Sequence, residues 1–90
     1  MELEWDETKR KANIAKHGLD FTDIPTLDWD NATVLQDARK NYPEPRYWAF
    51  AMRRTRLYMV AFCMRCQQVR IISFRKANKK EVRRHGQQAK

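Results

Sequence analysis

The sequence predicts an α+β fold: N-terminal helices packed on a small antiparallel sheet, a three-stranded meander with one or two flanking strands, and a short C-terminal helix, all in a single domain over residues 1–90. Three observations carry that expectation. Between Arg46 and Lys76, the apolar runs Tyr47 to Met52, Leu57 to Met64 and Val69 to Phe74 are rich in aromatic and β-branched side chains, which suits strands. The breaks Arg53-Arg54-Thr55-Arg56 and Arg65-Cys66-Gln67-Gln68 are too short for a crossover helix and imply antiparallel hairpins. Helix start and stop signals flank the meander on both sides, at Asp6 and Gly18 upstream and at Asn78 and Gly86 downstream.

In chain order, Leu3 and Trp5 stand at strand spacing and suggest a short edge strand. Asp6 then caps a helix over about Glu7 to His17. Glu7 complements the dipole in its first turn and Lys16 with His17 in its last, and Gly18 is the residue that leaves it. Ala12, Ile14 and Ala15 form its thin apolar stripe. Asp20 opens a second helical stretch with Ile24 and Leu27 inward. Pro25 removes a hydrogen bond there, so the stretch is expected to be short or irregular, with Trp29 covering the core beside it. Thr33 to Leu35 reads as another strand, and residues 39–45 as a loop.

Alternation assigns the faces of the meander. In the middle run Leu57, Met59, Ala61 and Cys63 point one way and Tyr58, Val60, Phe62 and Met64 the other, so this strand should be central and covered on both sides. In the third run Arg70, Ile72 and Phe74 share one face, and Val69, Ile71, Ser73 and Arg75 the other. Arginines emerging from a buried strand need an acid, a solvated cleft or an anionic ligand, because desolvating one alone costs several kcal/mol by order of magnitude. Beyond the meander, Asn78 and Glu81 form a capping-box pattern on a helix whose one strongly apolar residue is Val82. Burial contributes little to such a helix, so it is mobile or fixed by a partner.

Hydrophobic content of 42%, with three Trp, three Tyr and four Phe, is that of a folded chain. No apolar run has the length of a membrane span and the acidic start is unlike a signal peptide, so a cytoplasmic protein with no membrane partner is expected. The net charge of +8 is divided unequally. Residues 1–37 carry nine acids and four bases, net −5, whereas residues 38–90 carry two acids and fifteen bases, net +13. The second half is suited to a polyanion or an acidic protein, or is simply a solvated basic surface. Cys63 and Cys66 form one Cys-x-x-Cys, with His17 and His85 alone available to complete a zinc site, so a buried thiol at Cys63 is favoured over a metal or redox role.

Four stretches together resemble the BrnT toxins. They are Glu4-Trp5-Asp6 with Lys9; Asn13 and Lys16-His17-Gly18 with Phe21; Arg46-Tyr47 before a strand pair; and Arg70-Ile71-Ile72-Ser73-Phe74-Arg75-Lys76-Ala77 with Glu81. The resemblance covers nearly the whole chain in the right order. It implies a type II toxin with a RelE-like ribonuclease fold, acting on RNA. It also implies a BrnA-like ribbon-helix-helix antitoxin, whose dimer holds two toxins and reaches operator DNA.

RNA cleaves when its 2′-hydroxyl attacks the adjacent phosphorus, so an enzyme need only remove one proton, supply another and stabilise added negative charge. The basic half has just Glu44 and Glu81 as carboxylates, too few for a two-metal site, and no metal or other cofactor is expected. Arg56, Arg70 and Arg75 are the candidate clamp on the phosphorane, with His85 as the candidate proton carrier and Glu81, one helical turn away, to orient it. Arg53, Arg54, Lys76, Lys79 and Lys80 are candidate RNA contacts. The competing readings are structural: Arg56 as a hairpin-turn cation, Arg70 paired with Asp6 or Asp37, and the lysines with Arg83 and Arg84 as a solvated or antitoxin-facing surface. His17, at a helix end, reads as a cap. A non-catalytic RNA- or ribosome-binding inhibitor of translation is the alternative function.

Overall fold

The three runs of the meander become β3 (Arg46–Arg53), β4 (Arg56–Arg65) and β5 (Gln68–Lys76), joined by tight turns in a computed structural model that describes residues 1–86. Residues 87–90 of the expected domain lie outside the described residues. Two short strands flank the meander, β1 (Leu3–Glu4) and β2 (Thr33–Gln36), in the order β1-β5-β4-β3-β2. As alternation requires, β4 is the central strand.

One pairing departs from the expected antiparallel sheet. β1 runs parallel to β5, with Leu3 beside Val69 and Glu4 beside Arg70, so the sheet is mixed. A connection of more than sixty residues, with a helix in it, imposes no hairpin geometry on those two strands. A second departure lies inside β5. Ala61 faces Ser73 but Phe62 faces Ile71, so Ile72 is an extra residue in a β-bulge. Downstream of the bulge the faces exchange. Val69, Ile71 and Phe74 share one face, and Arg70, Ser73 and Arg75 the other, which corrects the simple alternation.

The first face carries the main core. Two 3-10 turns, Phe21–Thr26 and Trp29–Asn31, cover it, with Phe21, Ile24 and Leu27 packed on Ala49, Ala51, Val60, Ile71 and Phe74, and helix α1 (Glu7–His17) lies against β5. Pro25 lies inside the first of these turns, so the second helix forms only as 3-10 geometry, capped by Asp20 accepting from the Thr22 N–H at 3.0 Å. The second face has a smaller cluster of Phe50, Leu57 and Met59, with Trp48, Met52, Ala61 and Ala77 beside it. Over that face lies α2 (Lys79–His85), which has no buried residue of its own.

Helix α1 has the predicted caps: Asp6 accepts from the Thr8 N–H, and Gly18 adopts φ 71° while its N–H donates to the Ile14 carbonyl. Its inward residue is not the apolar stripe, however. Ala12, Ile14 and Ala15 are exposed, and Asn13 is buried. The cause is the brevity of β1, which leaves β5 without a neighbouring strand at Phe74. The Asn13 amide takes that strand's place: Nδ2 donates to the Phe74 carbonyl at 2.8 Å and the Phe74 N–H donates to Oδ1 at 3.0 Å. Nδ2 also donates to the Leu19 carbonyl at 2.9 Å, so one side chain joins helix, loop and sheet. Among the described residues no helix is long and apolar enough to cross a membrane.

Candidate active site

The incompletely covered face of the sheet forms a cleft of about 510 Å³. Its floor is Trp48, Phe50, Met59, Ala61, Ile72 and Ser73 from β3, β4 and β5; one wall is α2 and the other is Leu35 with the segment from Asp37 to Arg46. Five cations line it, Arg39, Arg46, Arg75, Lys80 and Arg84, against two carboxylates, Asp37 and Glu81. A cationic cleft with an aromatic floor attracts an extended anion and offers rings to its apolar parts.

The α2 wall begins at Asn78, whose side chain accepts from the Glu81 N–H while Glu81 accepts from the Asn78 N–H, a complete capping box. Glu81 also receives the end-on fork of Arg75, Nη1 to Oε1 at 2.8 Å and Nη2 to Oε2 at 3.0 Å. The Arg75 Nη1 donates once more, to the Lys76 carbonyl at 3.1 Å. A guanidinium has five N–H donors. The side-on edge of Arg75, Nε–H and the second Nη2–H, therefore has no partner among the described residues. The Arg75 guanidinium, opposed in part by burial, holds the Glu81 carboxyl below its ordinary value, so Glu81 is ionised at neutral pH. His85, one turn further on, stacks on Phe50 with ring centroids 4.2 Å apart and an interplanar angle of 19°. That stack and the Arg75–Glu81 pair fasten α2 to the sheet.

The opposite wall is organised by Asp37, a carboxylate only 3% exposed. Its oxygens accept from the Arg39 backbone N–H, from Arg39 Nε and Nη2 at 3.0 Å each, and from the Tyr42 hydroxyl at 3.1 Å. Arg39 lies over the Trp48 ring at 4.7 Å, and Arg46 over the Tyr42 ring at 4.4 Å. Arg46 forms no ion pair among the described residues. The bonds from Arg39 outweigh burial and lower the Asp37 pKa to about 2. A depressed carboxylate pKa contributes stability above the unfolded value and loses it as pH falls through the folded one. The wall is thus expected to hold at neutral pH and to loosen between about pH 4 and pH 2, and an Asp37→Asn variant to lack that acid transition; tryptophan fluorescence against pH checks both.

Of the sequence-predicted residues, Arg75, Lys80, Glu81 and His85 meet in this cleft. Arg70 is on the same face but stands outside the cleft lining, paired with Glu4 at 3.3 Å; the acid it needed is Glu4 rather than Asp6 or Asp37. Arg53, Arg54 and Arg56 gather at the β3–β4 turn around a shallow hollow with Leu19, Asp23 and Tyr58, on the side of the N-terminal layer. Lys76 and Lys79 are exposed and do not line the cleft. His17 is half-buried; burial first, then Lys16 and Arg75, push its pKa below the ordinary value, which favours neutral imidazole over a capping cation. Asp37, Arg39 and Trp48 were missed as site residues. The signal available was an Asp-x-Arg followed by Tyr42, with the partner Trp48 far enough along to fold back over it.

Cys63 is buried and Cys66 is exposed at the β4–β5 turn, both as free thiols. Among the described residues no three His, Cys, Asp or Glu side chains stand together as a metal-binding group.

Fold and cleft define a small basic α+β protein with a groove that pairs cations with aromatic rings, a class suited to handling single-stranded nucleic acid. More particularly, residues 5–81 match the family described as ribonuclease toxin, BrnT, of type II toxin-antitoxin system, and the chain belongs to that family. Among curated proteins no relative matches it.

Proposed function

We propose that this chain is a single-domain, RelE-like endoribonuclease that cleaves RNA by attack of a 2′-hydroxyl on the adjacent phosphorus, without a metal ion. The observation that supports it best is Arg75. Glu81 holds the end-on fork of its guanidinium inside the cleft, while the side-on edge is left to grip two oxygens of a phosphate. Such a clamp fixed in advance stabilises the charge that builds up on phosphorus in the transition state. Arg46, over the Tyr42 ring and without an ion pair among the described residues, is the second cation of the clamp in this reading, in place of Arg56 and Arg70, which stand outside the cleft. His85 exchanges the proton with the reacting oxygens, and ionised Glu81 orients Arg75. Lys80 and Arg84 contact flanking phosphates.

As a type II toxin it is neutralised by a protein antitoxin; in our reading this is a ribbon-helix-helix dimer that carries two toxins to operator DNA, in the cytoplasm. The test of the catalytic reading is cleavage of RNA in EDTA. Activity is expected to persist there and to leave a 2′,3′-cyclic phosphate end, since the attacking oxygen belongs to the RNA itself. Loss of cleavage in EDTA with recovery on adding Mg²⁺ would show that the arginine clamp is not the mechanism. Arrested translation with intact RNA would instead make the cleft a binding site only.

A further inference from the structure

We propose that Arg39 is a stacking platform for one nucleobase of the RNA, held flat by Asp37 and Trp48 at the wall of the cleft opposite Arg75. The proposal rests on the reading of the cleft as an RNA site. It starts from an oddity of Arg39. Its side chain is 67% exposed, and a solvated arginine at such a position would ordinarily sample many rotamers. Here three groups immobilise it. The buried Asp37 carboxylate takes both hydrogens of its side-on edge, the Tyr42 hydroxyl fixes the second oxygen of that carboxylate, and the guanidinium carbon lies over the Trp48 ring, 4.7 Å from its centroid.

What these contacts leave is a planar cation held over the Trp48 indole, in a cleft that also holds Arg75. Guanidinium planes stack on unpaired bases as aromatic side chains do, and an indole behind the cation polarises it without adding a competing charge. On this wall Arg46, which forms no ion pair among the described residues, is better suited than Arg39 to holding a phosphate, while across the cleft Arg75, although paired with Glu81, keeps its side-on edge free. The division of labour is therefore cation for backbone at Arg46 and Arg75, and plane for base at Arg39. Asp37 is a positioning residue, since it acts only through Arg39.

The experiment uses short 2′-O-methyl oligoribonucleotides, which bind but cannot react through the blocked 2′-oxygen, so it is independent of cleavage. Each position in turn is made abasic. For the parent protein one position is expected to weaken binding about tenfold when its base is removed, the usual scale for loss of one base stack. Arg39→Ala and Arg39→Lys are expected to bind the intact oligonucleotide about tenfold more weakly, and to become indifferent to removal of that same base. Asp37→Asn should fall between, with the abasic effect reduced. Thermal unfolding of each variant and capture of the antitoxin complete the set.

Arg39→Lys retaining the parent's abasic sensitivity would reduce Arg39 to a simple cation and overturn the platform. So would an oligonucleotide that fails to bind, or a parent protein indifferent to every abasic position. Arg39→Ala that binds oligonucleotide normally but no longer captures antitoxin would make this wall an antitoxin contact instead. Base-dependent binding together with failure to cleave unmodified RNA would leave the platform standing and remove the ribonuclease reading.

Discussion

Replacing Arg75 with alanine is expected to reduce RNA cleavage by about 10²-fold or more, the scale on which removal of one transition-state donor acts. The substitution removes the side-on edge that the cleft leaves for a phosphate, and it also releases Glu81 from a bidentate pair. The second effect needs its own control, because α2 has no buried residue and the pair, with the His85–Phe50 stack, attaches it to the sheet. Arg75→Lys supplies it. A lysine ammonium can keep the ion pair with Glu81, and so keep α2 docked, yet it cannot grip two phosphate oxygens from a rigid plane. Lysine is thus expected to keep α2 docked but to recover only a small part of cleavage. Global stability should fall by about 1 kcal/mol in the alanine variant, the upper end for a surface ion pair, since this one is part-buried. Growth arrest, cleavage in vitro and thermal unfolding, measured on the same proteins, decide the matter. A folded Arg75→Ala protein that cleaves like its parent refutes the assignment.

Asn13→Ala is expected to have the largest effect on stability of any single polar substitution considered, about 3 kcal/mol. It leaves the Phe74 N–H and carbonyl and the Leu19 carbonyl without the partner that the amide supplies, at a site where Asn13 is only 6% exposed. For a domain of this size that loss lowers the melting temperature by on the order of 15 °C. Asn13→Asp keeps the shape but cannot donate to two carbonyls, so it is expected to be no better than alanine. Its carboxylate would face both oxygens. Thermal unfolding of the two variants is the check, and an Asn13→Ala protein that melts with its parent would show that the amide is not a substitute for a strand.

The meander and α1 were legible because their signals are local. Aromatic and β-branched runs broken by four-residue turns leave one economical arrangement, and Asp6 and Gly18 mark the ends of α1 by chemistry that acts within a few residues. The misreadings share a different cause. Ala12, Ile14 and Ala15 looked like the inward face of α1, but what α1 meets is a strand edge rather than an apolar surface, and that edge is bare only because β1 stops at Glu4. Likewise Arg75 shares a face with Arg70 through the one extra residue at Ile72, a bulge that strict alternation cannot contain. Arg75, Glu81 and His85, put forward from the BrnT-like stretch and the short helix after it, do line one cleft, because strand end and helix are neighbours in the chain. Arg39 was hidden in a segment whose composition reads as loop, and its importance depends on Asp37 and Trp48 being brought together by β2 and β3 pairing.

The way α2 is attached sets how it comes off. Elements of the N-terminal layer are tied into the main core, so they open to hydrogen exchange only when much of the domain opens. Helix α2 is tied by an ion pair, a capping box and one ring stack, which ionic strength and acid weaken while leaving the apolar core intact. It is expected to open as a unit of its own, ahead of the core, which amide hydrogen exchange along α2 checks. Since it carries Glu81 and His85, the wall of the cleft can be lost while the sheet beneath it stays folded. A protein in that state would pass every measure of global folding and still have no assembled site.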